Sequence, residues 1–284
     1  MGNRQLIPLK KLGQGGAGEA WLVENEEAEL FTLKLLNDRQ NYSWKIARAI
    51  ERAYKLRGQL SENGTPQINI QNFRSNPERG NGGVLFSFHE GNNLKEYVRE
   101  KDFNERAQLL AELLPKAKAL CDNLGESGIA HNDIRPENII IGSDGKVTLI
   151  DIDFLTKHEE TSNLCIGPAW YVAPEVLQGK VHPHSDTFSL GVTAWTVLMG
   201  NLNTIPDPRL IAEHKRQGGD FFDTPKVAGT LNQLRGTLER ANPLMCDEMC
   251  NLVATRPADR VLSKTISLAP LPSVPILAGS PSLY

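Results

Sequence analysis

The sequence predicts an α+β chain of two lobes: a small N-terminal sheet that carries one long helix, then a larger and mainly helical part. Two observations predict it. The first third alternates short apolar runs with turn residues and contains a single stretch of helical spacing, whereas from Leu94 onward helical periodicity dominates. Between the two lies "SFHEGNN", residues 87–93, which is polar and glycine-containing, as a connection between lobes should be.

The elements follow in order. "LIPLKKLGQ" and "EAWLVEN" flank a glycine-rich turn and read as the two strands of a hairpin. "LFTLKLL" is a third strand. "SWKIARAIERAYKLRGQL" is a helix, with Trp44, Ala47, Ile50, Tyr54 and Leu60 at helical spacing. "PQINIQNF" and "GVLFSF" add two more strands. "LKEYVREKDFNERAQLLAELLPKAKALCDNLGESG" holds two helices, the second a core helix interrupted by Pro115. "SLGVTAWTVLMG" and "TLNQLRGTLERA" are further helices, with the short strands "NIII" and "KVTLID" before them. After Leu268, four prolines in sixteen residues predict an extended tail. The expected divisions are a first lobe over 1–86, a second over 87–268 and a tail over 269–284.

Composition narrows the function. The chain has 284 residues, enough for a sizeable core, and 31 Lys and Arg stand against 34 Asp and Glu for a net charge of -3. Nothing global draws it to nucleic acid or to an anionic membrane, so any phosphate must be held locally. No apolar run approaches the ~20 residues that a membrane span requires, and the N-terminal stretch lacks the apolar core of a signal peptide. Cys121, Cys165, Cys246 and Cys250 have neither a disulfide-framework nor a zinc-site spacing and read as buried, reduced thiols. A cytoplasmic location is the expectation, with no sign of an obligate oligomer.

The chemistry concentrates in four places. Gly13, Gly15 and Gly18 have the G-x-G-x-x-G spacing, and glycines let a turn approach phosphates closely while offering bare N–H groups. A strand rather than a helix follows them, so the turn is a hairpin and not a dinucleotide loop. Lys34 sits inside the strand "LFTLKLL", where a buried ammonium needs an anionic partner. Glu51, near the apolar face of the helix, is the expected one, and the pair would aim Lys34 at phosphate oxygens. "HNDIRPEN", residues 131–138, supplies Asp133 as a base for a hydroxyl proton, Arg135 to offset phosphate charge and Asn138 to present an amide oxygen to a metal. Thirteen residues beyond Asn138, "VTLIDID" delivers Asp151, and together they offer the oxygens that Mg2+ prefers beside substrate phosphates. The set is that of a phosphoryl-transfer site.

At this point the chain resembles the protein kinase family over nearly its whole length. The matching segments are "GQGGAG", the lysine of "FTLK", "HNDIRPEN", "DID" in place of D-F-G, "APE" at Ala173 to Glu175, "SDTFSLGV" with Asp186, and "RPADRVLS" with Arg260, expected to pair with Glu175. The resemblance implies a bilobal protein-kinase-like fold with a small antiparallel N-lobe sheet and a helical C-lobe. It also implies ATP in the cleft, its adenine against backbone around Ser87 to His89, with Mg2+ or Mn2+ at Asn138 and Asp151. The implied activity is transfer of the γ-phosphate to Ser or Thr of protein substrates, including the chain itself. Asp133, Arg135, Lys34 and Glu51 would be the catalytic set.

The departures are specific. Asn132 replaces the arginine that in many relatives clamps a phosphorylated segment, which uncouples activity from phosphorylation at Thr161 or Ser162. Asp153 replaces the glycine of D-F-G, adding a carboxylate beside the metal. Pro168 stands where a threonine that contacts the catalytic aspartate is common, and Thr32 and Ala20 alter the roof of the nucleotide pocket. These departures define the alternative, a pseudokinase scaffold that binds nucleotide without efficient turnover. A small-molecule phosphotransferase is a third reading, against which "YVAPEVL" argues. His182 and His184 read as turn residues, His131 as a hydrogen-bonded core residue, and Phe221 with Phe222 as cover for a loop.

Overall fold

The computed structural model describes residues 6–15, 18–36, 74–75, 82–158, 167–200 and 207–260. The expected helix over 43–60 with Glu51, the strand over 66–73, Thr161, Ser162, Cys165 and the tail over 269–284 lie outside them.

Five antiparallel strands make the N-terminal sheet: β1 (Ile7–Gly15), β2 (Gly18–Glu24), β3 (Leu30–Leu36), β4 (Arg74–Ser75) and β5 (Gly82–Ser87), in the order β1-β2-β3-β5-β4. The hairpin closes with Gly15 opposite Gly18, whose φ of +151° is a conformation that side chains disfavour. Alternation along the strands brings Val23, Phe31 and Leu85 to one buried face, with Trp21 and Leu33 against them. Register places Lys34 between Ala20 of β2 and Val84 of β5, in the interior of the sheet.

The second part is helical around a buried centre. After β6 (Asn92–Asn93) come α1 (Leu94–Tyr97) and α2 (Phe103–Glu126). Asp102 caps α2 by accepting from the Glu105 N–H at 2.9 Å, and the Glu105 carboxylate accepts in return from the Asp102 N–H at 2.7 Å. Pro115 does not interrupt α2, contrary to the sequence reading. Leu113 and Leu114 before it and Ala117 and Cys121 after it are buried along the same helix, and this continuous burial outweighs a proline cost of about 3 kcal/mol.

Short strands frame the loops that matter: β7 (Ile129–Ala130), β8 (Ile139–Ile141), β9 (Val147–Leu149) and β10 (Thr156–Lys157). Then follow α3 (Pro174–Leu177), α4 (Ser185–Met199), α5 (Pro208–Arg216), α6 (Ala228–Ala241) and α7 (Pro243–Leu252). Helix α4 is buried from Ser185 to Leu198, the mark of a helix at the middle of a lobe. Two of its buried hydroxyls bond back along the helix: Thr193 and Thr196 donate to the carbonyls four residues back, at 2.8 and 2.7 Å.

Phe221 and Phe222 are core rather than loop cover. They stack against Trp170 and Trp195 with ring centroids 5.4 and 5.1 Å apart. Cys121 and Cys246 are buried free thiols and Cys250 is half-buried. Among the described residues no helix is long and apolar enough to cross a membrane.

Candidate active site

The stretch 131–138 connects β7 to β8, and a buried carboxylate beneath it sets its shape. Asp186, at the start of α4, accepts from the backbone N–H of His131 at 2.6 Å and of Asn132 at 2.9 Å. The His131 ring closes the other side, with Nε2 hydrogen-bonded to the Ile150 carbonyl at 3.0 Å. Asn132 takes a left-handed conformation, φ +63°, one that asparagine tolerates better than most residues. Its side-chain amide donates to the Phe154 carbonyl at 3.0 Å, tying the loop to the segment after Asp151 through a neutral group.

Asp133 and Asn138 face each other across the turn. The Asn138 amide nitrogen donates to the Asp133 carbonyl at 2.9 Å and to its Oδ2 at 2.7 Å, so the amide oxygen is the atom left to serve a ligand. Asp133 Oδ1 is buried without a hydrogen-bond partner among the described residues, and burial raises the carboxyl above its ordinary value. Gly167 lies over it. Its N–H donates to the Asn132 carbonyl at 3.0 Å, and a side chain there would collide with Asp133 Oδ1. Arg135 Nε donates to Glu137 at 2.9 Å, Lys95 supports Glu137 at 3.0 Å, and the Arg135 guanidinium lies 6.0 Å from the Tyr171 ring.

The lobes meet at Lys34. Its ammonium donates to Asp151 Oδ1 at 2.6 Å and to Asp153 Oδ2. Asp151 follows β9 in a left-handed conformation, φ +64°, and the 3-10 turn Ile152–Phe154 brings Asp153 back to Lys34 while burying Ile152. Burial works against the Lys34 charge, but Asp153 and Asp151 outweigh it and hold the ammonium above its ordinary value. Burial opposes ionisation of Asp151, yet Lys34 keeps its carboxyl low. Burial and the Asp151 charge push Asp153 up to about 7. The expected partner of Lys34, Glu51, lies outside the described residues.

The residues expected to meet the adenine begin where β5 ends. Ser87 closes that strand opposite Phe31, and Ser87 Oγ and His89 Nε2 are both buried without hydrogen-bond partners among the described residues. Gly13 has open space where a side chain would project.

Beyond the cleft, Glu175 and Arg260 pair as expected. The guanidinium, 1 % exposed, reaches both carboxylate oxygens at 2.6 and 2.8 Å and donates to the carbonyls of Ala254 and His184. Ser185 Oγ adds a bond to Glu175 at 2.8 Å. This set pins the segment after Gly167 to the helical core.

A profile of the protein kinase domain matches residues 6–263. The chain belongs to the protein kinase family. Kinases of several organisms are similar to it. Sperm motility kinase 2B of Mus musculus is 32% identical over 168 residues, 56% of this chain and 34% of that protein. Serine/threonine-protein kinase PknL of Mycobacterium tuberculosis is 28% identical over 183 residues, 62% of this chain and 43% of its own. Serine/threonine-protein kinase STE20 of Debaryomyces hansenii is 28% identical over 208 residues, 70% of this chain and 18% of its own. The matched part of this kinase chain thus spans less than half the length of each of these relatives.

Two residues of this kinase were not legible as site neighbours. Asp153 was visible as a departure, but only the turn Ile152–Phe154 reveals that it reaches Lys34. Lys215 gave one faint signal, its spacing of four from the apolar Ile211 on α5. It is 2 % exposed, and its ammonium donates to the carbonyls of Ala169, Trp170 and Val172 at 2.9, 2.6 and 2.7 Å, which holds the chain between Gly167 and α3. Lys215→Met would leave those carbonyls without their common donor. It is expected to lower stability by about 1–3 kcal/mol, read as a shift in the urea unfolding midpoint.

Proposed function

We propose that this kinase chain transfers the γ-phosphoryl group of ATP to serine and threonine hydroxyls of protein substrates, itself included, in the cleft between lobes 1–86 and 87–268. One observation carries the proposal. Asp133 is held through Oδ2 by Asn138 while its buried Oδ1 has no partner among the described residues, which leaves one carboxylate oxygen for an acceptor hydroxyl. In such a reaction positioning and electrostatics do nearly all the work.

Asp133 orients the acceptor hydroxyl and receives its proton as the phosphoryl group moves. Lys34 leaves its carboxylates to meet the α and β phosphates. Glu51, in the expected helix, keeps it aligned there. Arg135 offsets charge on the transferred group, and the turn at Gly13, Gly15 and Gly18 covers the phosphates with backbone N–H groups. The backbone from Ser87 to His89 receives the adenine. Asn138 and Asp151 suit a hard divalent cation, since they set an amide oxygen and a carboxylate near an orphaned buried carboxylate oxygen. Held by Asn138 and Asp151, Mg2+ or Mn2+ would supply positive charge to offset the charge that develops on the phosphates. The Glu175–Arg260 anchor supports a protein acceptor, because it braces the segment that a substrate chain would lie against.

A second reading has an observation of its own. Lys34 is engaged by two carboxylates rather than one, and a pair that never released it would make a nucleotide-binding scaffold. Incubation with γ-labelled ATP, Mg2+ and a generic protein substrate separates the two. Label on serine and threonine is expected; nucleotide binding with no label under Mg2+ or Mn2+ would favour the scaffold.

A further inference from the structure

Asp153 is 2 % exposed, with Oδ2 on Lys34 and Oδ1 without a hydrogen-bond partner among the described residues. Its carboxylate and that of Asp151 both meet the same Lys34 ammonium. A buried carboxylate oxygen left unpaired is costly, and two carboxylates side by side repel unless positive charge joins them. Lys34 brings one positive charge to the two. Glycine, the residue of D-F-G at this position, would bring no side-chain oxygen. The pair is therefore a property of this chain's own sequence.

Hard divalent cations answer such a geometry. They take carboxylate and amide oxygens and carry twice the charge of an ammonium. Asn138, joined to β9 by the Ile150 N–H to Asn138 carbonyl bond of 2.9 Å, stands on the neighbouring strand end. We infer that Asp153 is a further ligand of the divalent cation, and that Asp151 and Asp153 together bind metal before nucleotide arrives. Metal uptake by the pair then displaces the Lys34 ammonium and frees it for phosphate. The inference rests on the phosphoryl-transfer reading of the cleft.

The test is a Mn2+ titration without nucleotide, counting free Mn2+ by electron paramagnetic resonance. The wild-type protein is expected to bind one Mn2+. Asp153→Asn should bind it at least about tenfold more weakly, since even an outer-shell partner of a metal site is worth about 10–100-fold in affinity. Lys34→Met should bind it more tightly, because the competing ammonium is gone. Unfolding midpoints confirm that each variant is folded, and Lys34→Met carries the test if Asp153→Asn is not. Equal titrations for wild type and Asp153→Asn, or no gain in Lys34→Met, would overturn the inference; phosphoryl transfer by the same wild-type preparation would leave the kinase reading intact. Wild-type protein that takes up Mn2+ neither alone nor with ATP would overturn both.

Discussion

Asp133→Ala is expected to slow phosphoryl transfer by about 10²–10⁴-fold, the range that a positioned acid or base contributes, while ATP binding stays within a few-fold of wild type. The reason is local. Asp133 faces Asn138 and Gly167, so on the proposed mechanism its loss would remove the partner of the acceptor hydroxyl and leave Lys34 and Asp151, the groups proposed to serve the phosphates, in place. Single-turnover kinetics with fluorescence titration of nucleotide would separate the two effects. A companion change sharpens the point. In Gly167→Ala the new methyl group would push against Asp133 Oδ1, so transfer should fall although every polar group of the site remains. Wild-type rates in both variants would remove Asp133 from the mechanism.

Arg260→Ala is expected to cost about 3–5 kcal/mol of stability, the usual penalty for breaking a buried ion pair from one side. The guanidinium, itself 1 % exposed, serves Glu175 with two short bonds and donates to the carbonyls of Ala254, Thr255 and His184. The pair also sets an acid limit. Burial opposes ionisation of Glu175, but Arg260 holds its carboxyl below the ordinary value of 4.5. A lowered folded-state pKa contributes stability that is present above that value and is lost as pH falls through the folded one. Urea midpoints of the wild-type protein should therefore drop below about pH 4.5, and Arg260→Ala should lose this part of the acid dependence. A variant as stable as wild type would show that the anchor is dispensable.

Much of this was legible in the residues themselves. Glycine spacing followed by strand rather than helix distinguished a hairpin from a dinucleotide loop, and β1 and β2 pair as that reading requires. Short-range order was readable because periodicity and turn chemistry act over a few residues. The Glu175–Arg260 pair was readable too, but only through family resemblance, since 85 positions separate its partners. Pro115 was misread because local propensity opposes the helix and only burial on both sides of it restores the balance. Phe221 and Phe222 were misread for the same reason, as their polar sequence neighbours conceal Trp170 and Trp195.

The sequence by itself determined the order of the described elements, the family, and which side chains are candidates for phosphoryl chemistry: a lysine in a strand, an aspartate and an asparagine in one loop, and an aspartate after the next strand. Only the tertiary structure decided how those charges are shared. Two left-handed residues, Asn132 and Asp151, and one turn after β9 bring Asp153 to Lys34, and a lysine on α5 reaches three carbonyls more than forty positions away. Charge pairing falls off with distance in space and is indifferent to distance along the chain, so no reading of neighbours in sequence could have assigned it.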